Sequence, residues 1–182
     1  KKEKSPISQK ANISKMTSAQ LSKLLHQLSD ELKTLQLREE KAQSFLASLG
    51  EDPESVRPTY DYVEMQEAQV TMERKIRKVK HTLNVFNSTQ VIPEFQMTID
   101  EMLVYLPQLN KRCAKLSVMK DALPKVRENA GYSRGTNIID YRYANYDIEQ
   151  TNKDYLALSQ ELARAQTALD YINNTTELDI DI

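Results

Sequence analysis

Glycine, cysteine and tryptophan are scarce in this chain of 182 residues, which contains three glycines, one cysteine and no tryptophan. Few glycines predict long, uninterrupted secondary structure, because glycine is among the residues that most often end a helix or a strand. The single Cys113 excludes an internal disulfide bond and is typical of a reducing compartment. We therefore expect a cytoplasmic protein built from long elements.

The chain also lacks an excess of one charge and any long apolar run. Its net charge is −1, with 25 basic against 26 acidic residues, so the molecule as a whole has no general attraction for nucleic acid. No apolar run approaches the roughly 20 residues that cross a bilayer as a helix. No transmembrane segment is therefore expected.

Residue patterns that carry catalysis or hold a cofactor are missing as well. The three glycines do not form a glycine-rich phosphate loop. A di-iron site in a helical bundle uses Glu-x-x-His pairs, but a lysine stands three residues before both His26 and His81. We expect both histidines on helix surfaces and Cys113 as a small buried hydrophobic residue. The sequence thus predicts no catalytic residue, no cofactor and no metal, and a protein that is not an enzyme.

Four segments repeat apolar residues at intervals of seven, a spacing typical of helices that pack side by side. In the first segment the row is Leu21, Leu28, Leu35, Ala42 and Leu49. The spacing predicts helices over about 17–49, 60–87, 98–130 and 147–173. Short connections make neighbouring helices antiparallel. We predict an all-α fold, an elongated antiparallel four-helix bundle or coiled coil that forms a single domain over 17–178, with a short β insert at 132–146.

Three of these helices begin with capping signals. Thr17 and Gln20 have the spacing of a capping box. Thr98 and Glu101 have the same spacing, and Asp147 is placed to cap the last helix. These residues predict where the helices begin.

Two residues interrupt the apolar rows. Gln69 is a polar residue in a row of the second helix. Pro107 lies inside the third helix, where the apolar pattern continues across it, so we expect a kink and not a helix end.

The N-terminal segment 1–16 is polar and basic, with five lysines and one glutamate. We predict a flexible tail. The alternative is an arm that docks on a partner.

A tyrosine-rich insert precedes the last helix. Ile139, Tyr141 and Tyr143 alternate with polar or small residues, and this period of two predicts a strand. A strand needs a partner, which the sequence offers at 137–139, in the loop 89–95, or in the same segment of another subunit. The candidate interaction residues are Tyr132, Arg134, Tyr141, Tyr143 and Tyr146. We favour packing or oligomerisation over base stacking or peptide binding as their role.

A basic strip lies on the second helix. Its candidate residues are Arg74, Arg77, Lys78 and Lys80. One interpretation is a solvated face that Asp30 and Glu31 partly neutralise across a helical hairpin. The other is a surface that meets phosphate or an acidic partner.

Several short motifs are shared with a known family. GYSRGTNI at 131–138 is followed by a helix that ends in NNTTEL at 173–178, and LNVFNSTQ and TIDEML stand upstream. Over about 70–178 these motifs resemble the septicolysin-like family of small bacterial helical proteins. The matching residues are Asn84, Asn87, Thr98, Tyr132, Ser133, Arg134, Asn173, Thr175, Thr176, Glu177 and Leu178. The resemblance implies a helical, self-associating bacterial protein and little about its biochemical activity.

We therefore predict a non-enzymatic protein that acts by self-assembly, as a homo-oligomer, and by binding a protein partner. Two alternatives stay open. One is a pore-forming or membrane-active protein, which the family's name suggests. The other is a nucleic-acid-binding accessory protein that uses the basic strip at 74–80.

Overall fold

The computed structural model describes residues 13–128 and 139–182, and this part of the chain is mainly helical, as the sequence predicts. It contains five helices and three antiparallel pairs of strands. In chain order the elements are β1 (Ile13–Thr17), α1 (Ser18–Ala42), α2 (Pro53–Val56), α3 (Tyr62–Thr89), β2 (Val91–Ile92), β3 (Met97–Thr98), α4 (Ile99–Lys120), β4 (Lys125–Arg127), β5 (Tyr141–Tyr143), α5 (Ile148–Thr175) and β6 (Glu177–Asp181).

The chain divides into two compact units, whereas the sequence predicts a single helical domain. The first unit comprises Lys1–Gln90 and Ile172–Ile182, and the second comprises Val91–Tyr171. Packing of all four long helices in one bundle stays a prediction.

In the first unit, α1 and α3 run antiparallel and enclose a core. Leu21 and Leu28 of α1 are buried with Val79 of α3 and Ile180 of β6. The two leucines belong to the seven-residue row, so the periodicity identifies this face of α1. Burial of one such leucine contributes about 1.5–3 kcal/mol, so these contacts stabilise the unit.

The strand β1 corrects the prediction of a flexible tail over 1–16, since residues 13–16 are ordered. β1 pairs antiparallel with β6, with Met16 opposite Leu178, and both side chains pack against the core. Residues 1–12 lie outside the described part. The prediction was wrong for residues 13–16 because the partner strand comes from the far end of the chain.

The first helix ends at Ala42 and not near residue 49. Glu39 already lies beside Gln69 and Tyr60, so α1 reaches the start of α3 at this point. The apolar row of the sequence continues past this end, but its last leucine does not pack on the core. Leu49 is accordingly exposed.

The helix α4 corrects the prediction of a helix that continues to residue 130. α4 continues across Pro107 but ends at Lys120. Pro124 disfavours the helical conformation of the residue before it, so the chain leaves the helix here and forms β4.

In the second unit, α4 and α5 run antiparallel. The Tyr105 hydroxyl donates to the Glu161 carboxylate, and this bond raises the pKa of Tyr105. Near the other end of α4, the Tyr146 hydroxyl donates to the carbonyl oxygen of Met119 at 2.8 Å. Within this unit the buried side chains of the two helices are Ile99, Met102, Leu106, Leu109, Thr151, Leu158, Ala165 and Leu169.

Both predicted capping boxes are confirmed. Thr17 and Gln20 exchange side-chain and backbone hydrogen bonds, and so do Thr98 and Glu101. The backbone and side-chain bonds from Thr98 hold the pKa of Glu101 below its ordinary value. Asp147 accepts a hydrogen bond from the backbone N–H of Gln150 at 3.0 Å, which is the bond expected of a helix cap.

Candidate functional site: the tyrosine ribbon

The predicted strand exists, and its partner is β4. We call the pair of β4 and β5 the tyrosine ribbon. Its register places Lys125 opposite Tyr143, Val126 opposite Arg142, and Arg127 opposite Tyr141. Of the partners suggested by the sequence, the loop 89–95 contributes instead to the β2–β3 pair. Residues 137–138 lie outside the described part of the chain, and pairing with the same segment of another subunit stays a prediction. The partner was missed because residues 125–127 lie within the segment predicted as helix.

One face of the tyrosine ribbon carries the two tyrosine rings together with two basic residues, Lys125 and Arg127. Opposite residues share a face, so Tyr141 and Tyr143 lie on the same side as Lys125. The Lys125 ammonium is 4.1 Å from the centroid of the Tyr141 ring and 5.4 Å from that of Tyr143. A cation–π contact at an exposed site contributes about 0.5–1 kcal/mol, so the lysine holds the two rings side by side.

The other face of the tyrosine ribbon carries charges. The Arg142 guanidinium forms an ion pair with the Glu128 carboxylate. Arg142 is largely exposed and Glu128 is partly exposed, so this pair orients Arg142 more than it stabilises the fold.

Two backbone hydrogen bonds extend the ladder beyond the strand ends. Glu128 N–H donates to the carbonyl oxygen of Asp140 at 2.9 Å, and Ala144 N–H donates to that of Pro124 at 3.1 Å. In an antiparallel ladder the residues of one strand alternately direct their backbone groups toward and away from the partner. Asp140, Arg142 and Ala144 therefore direct their N–H and C=O groups toward β4.

The intervening residues form the outer edge of β5. By the same alternation, the backbone N–H and C=O groups of Ile139, Tyr141 and Tyr143 point away from β4. Among the described residues the ribbon contains two strands only, and no third strand lies along this edge. An open edge of this kind is a template for another strand.

The side chains along this edge are accessible to a partner. The exposed fraction is 62% for Tyr143, 44% for Tyr141 and 52% for Ile139. Large side chains that are exposed beside an unpaired strand edge are suited to binding another strand. The rings would supply the buried area, and the backbone hydrogen bonds would align the added strand.

The other predicted interaction residues do not join this edge. The Tyr146 hydroxyl donates to the carbonyl oxygen of Met119 at the C-terminal end of α4. Its part in an interaction stays a prediction. Tyr132 and Arg134 lie outside the described residues.

The predicted basic strip is exposed on α3. Lys78 donates to the backbone carbonyl of Asp181 at 3.0 Å and lies 3.4 Å from its carboxylate. Arg77 lies 4.0 Å from Glu73. Among the described residues, the ion pairs of the strip thus involve β6 and α3 itself, and not Asp30 or Glu31 as one interpretation of the sequence proposed. Arg74 and Lys80 are exposed without an ion pair among the described residues.

A cluster around Glu39 was not predicted. Its carboxylate accepts hydrogen bonds from Gln69 at 2.6 Å, Tyr60 at 2.8 Å and Gln66 at 2.6 Å. Bonds from Gln69, Tyr60 and Gln66 lower the pKa of Glu39, and the bond to Glu39 raises the pKa of Tyr60 to about 12. The polar Gln69 in an apolar row was the signal that could have revealed the cluster.

The histidines and the cysteine, which were considered for metal binding or catalysis, do not form a site among the described residues. His26 and His81 are exposed as predicted, whereas Cys113 is half-buried and not fully buried. Within residues 13–128 and 139–182, no three His, Cys, Asp or Glu side chains come together as a metal site. Of the helices that the structure describes, none has the length and apolar character to span a membrane.

Comparison with known proteins identifies a protein of similar fold but indicates no activity. No protein-family model matches the chain, and no curated protein matches it. The chain is similar in structure to a functionally unknown conserved protein from Corynebacterium diphtheriae, with a TM-score of 0.56 and 18% sequence identity. The match covers 91% of this chain and 99% of that one. At this identity the likeness concerns the fold alone, and the resemblance to the septicolysin-like family stays a prediction.

Proposed function

We propose that this protein is a non-enzymatic helical protein that assembles with copies of itself, or binds a protein partner, through the tyrosine ribbon. The proposal includes a cytoplasmic location, for which the single cysteine is the support. The helical units serve as a scaffold that presents the ribbon.

The observation that carries the proposal is the outer edge of β5. It combines outward backbone groups with exposed aromatic side chains at Tyr141 and Tyr143. Tyrosine is enriched at protein interfaces because its ring supplies contact area and its hydroxyl can hydrogen-bond. An isolated two-stranded ribbon is marginal in water, so a further strand along this edge would also stabilise the ribbon itself.

The tyrosine side chains provide the first test. Tyr141→Ser with Tyr143→Ser removes both rings and leaves the backbone, so we expect the assembly constant to fall by about tenfold or more, with helix content unchanged. Light scattering after size exclusion measures the mass, and circular dichroism measures the helix content.

A matched control is Tyr62→Ser, which removes an equally exposed tyrosine at the start of α3, 64% exposed. It should leave the mass unchanged. A double variant that assembles as well as the wild type would show that the rings do not mediate the contact.

The two alternatives from the sequence stay predictions. Membrane activity would appear as leakage of liposomes treated with the pure protein. Nucleic-acid binding would appear as salt-sensitive retention that is lost when Arg74, Arg77, Lys78 and Lys80 are neutralised. Lys78 is already paired with Asp181, which weakens the case for this strip as a phosphate-binding surface.

A further inference from the structure

The charged face of the tyrosine ribbon contains an unbalanced acid. The register places Glu128 opposite Asp140, so two carboxylates face each other on the side away from the tyrosines. Arg142 forms its ion pair with Glu128. Within the described residues, Asp140 has no ion-pair partner, and it is exposed.

The outer edge of β5 is complementary to itself. Its sequence is Ile-Asp-Tyr-Arg-Tyr over residues 139–143. When two copies of this segment run antiparallel with Tyr141 opposite Tyr141, Asp140 of each copy lies opposite Arg142 of the other. On the remaining face, Ile139 of each copy lies opposite Tyr143 of the other.

We propose that β5 pairs antiparallel with β5 of a second copy, about a two-fold axis through Tyr141, and that Asp140 and Arg142 form reciprocal ion pairs across it. The ligand of this edge is thus a second copy of the chain. This inference rests on the proposed function and specifies its partner and its register.

The backbone geometry permits this register. Ile139, Tyr141 and Tyr143 are the residues whose backbone groups point outward, and in this register each of them faces another outward residue. Every outward pair can therefore exchange both of its hydrogen bonds. A shift by a single residue would set outward residues against inward ones and lose these bonds.

Charge selects Tyr141 as the centre among the permitted registers. A two-fold axis at Arg142 would place the two arginines opposite each other, and an axis at Asp140 would do the same with two aspartates. An axis at Tyr143 would place Arg142 opposite the uncharged Ala144. Like charges that are directly opposite in a sheet are destabilising, and opposite charges are favourable.

The register also completes the tyrosine face. A perpendicular two-fold axis keeps the aromatic sides of both copies on one side of a four-stranded sheet. The rings of Tyr141 then meet at the centre, and each Lys125 remains on the same side in contact with its own tyrosines. The surface that is exposed in one copy is thereby covered in two.

A charge-swap series tests the ion pairs. Asp140→Arg places a cation opposite Glu128 in its own copy, which favours the ribbon, but it sets two arginines against each other across the axis. We expect assembly to weaken by about tenfold or more. Arg142→Asp should weaken it similarly, because it sets two aspartates against each other.

The double variant Asp140→Arg with Arg142→Asp restores opposite charges across the axis. It should assemble within about threefold of the wild-type constant in sedimentation equilibrium. Assembly of Asp140→Arg that equals the wild type, or a double variant that is weaker than both single variants, would overturn the ion pairing.

Crosslinking tests the register itself, in full-length protein that carries Cys113→Ser. In this register the two copies of residue 141 have Cα atoms about 5.5 Å apart, within the range of a disulfide. The two copies of residue 142 are offset by two positions, about 7 Å along the strand. Tyr141→Cys should therefore form a disulfide-linked dimer on mild oxidation, and Arg142→Cys should not.

The outcomes separate this inference from the proposed function. If the Tyr141→Ser, Tyr143→Ser variant loses assembly but Arg142→Cys crosslinks in preference to Tyr141→Cys, the register is wrong and the ribbon remains the contact. If the wild-type protein is a monomer at high concentration and neither cysteine crosslinks, self-assembly itself is refuted. Crosslinking of Tyr141→Cys alone supports both.

Discussion

At the scale of single residues, Gln69 is a polar residue in an apolar row, and the residue that explains its presence lies 30 positions away in the sequence. The apolar row identifies Gln69 as a polar interruption, and the structure buries it against the carboxylate of Glu39. A buried amide without a hydrogen-bond partner would destabilise the fold, and the Glu39 carboxylate supplies that partner. The partner could not be predicted, because Glu39 lies on another helix and only the packed register brings the two together.

The Glu39 cluster predicts a dependence of stability on pH. The pKa of Glu39 in the folded protein is lowered below its ordinary value of 4.5. Its hydrogen bonds therefore contribute stability that is present above pH 4.5 and is lost as the pH falls through the lower, folded pKa. The difference in melting temperature between wild type and Glu39→Gln should thus be largest above that range and shrink below it.

Thermal unfolding monitored by circular dichroism between pH 3 and pH 7 measures this difference, with steps of about half a unit. Glu40→Gln, which changes the exposed neighbouring residue, is the control and should show no such trend. A Glu39→Gln difference that stays constant over the whole range would contradict the role of the carboxylate.

At the scale of elements, the sequence predicted where helices begin but not where α1 ends. The capping boxes at Thr17 and Thr98 depend on neighbours three residues away, so the sequence contains all that determines them. The helix α1 ends at Ala42, although its apolar row continues past that residue to Leu49. Only the structure shows which members of the row are buried.

Two leucines of this one row provide a matched pair of substitutions. Leu28 is 6% exposed and Leu49 is 108% exposed. Leu28→Ala should lower the free energy of unfolding by about 2–5 kcal/mol, because it leaves a cavity in the core of the first unit. Leu49→Ala should change it by less than about 0.5 kcal/mol.

Chemical denaturation with urea, followed by circular dichroism, measures both values. Equal losses from the two substitutions would mean that α1 continues to residue 49 in solution, with Leu49 packed. That result would contradict the end of α1 at Ala42.

At the scale of the whole molecule, the helical class followed from the sequence and the strand pairs did not. Alternation predicted the strand at Tyr141 and Tyr143, but its partner β4 lay within a segment predicted as helix. Likewise β1 and β6 pair the two ends of the described chain. Strand pairing is non-local, so its partners become visible only when the chain is folded.

The features of the tyrosine ribbon that support the proposed function arise from its residues and from its strand pairing. Its open edge follows from the ladder between β4 and β5, its aromatic face from the alternation of residues, and its charge pattern from Asp140 and Arg142. The central claim is that the outer edge of β5 joins one molecule to another.

Proline substitution at the two edges of the ribbon tests that claim most directly. Tyr143→Pro removes an N–H that points away from β4, and Arg127→Pro removes one from the outer edge of β4. Neither breaks a hydrogen bond between β4 and β5. In sedimentation equilibrium, Tyr143→Pro should be monomeric at concentrations where wild type and Arg127→Pro associate, with equal helix content in all three. Association of Tyr143→Pro at the wild-type level, or a wild type that stays monomeric at high concentration, would contradict the account.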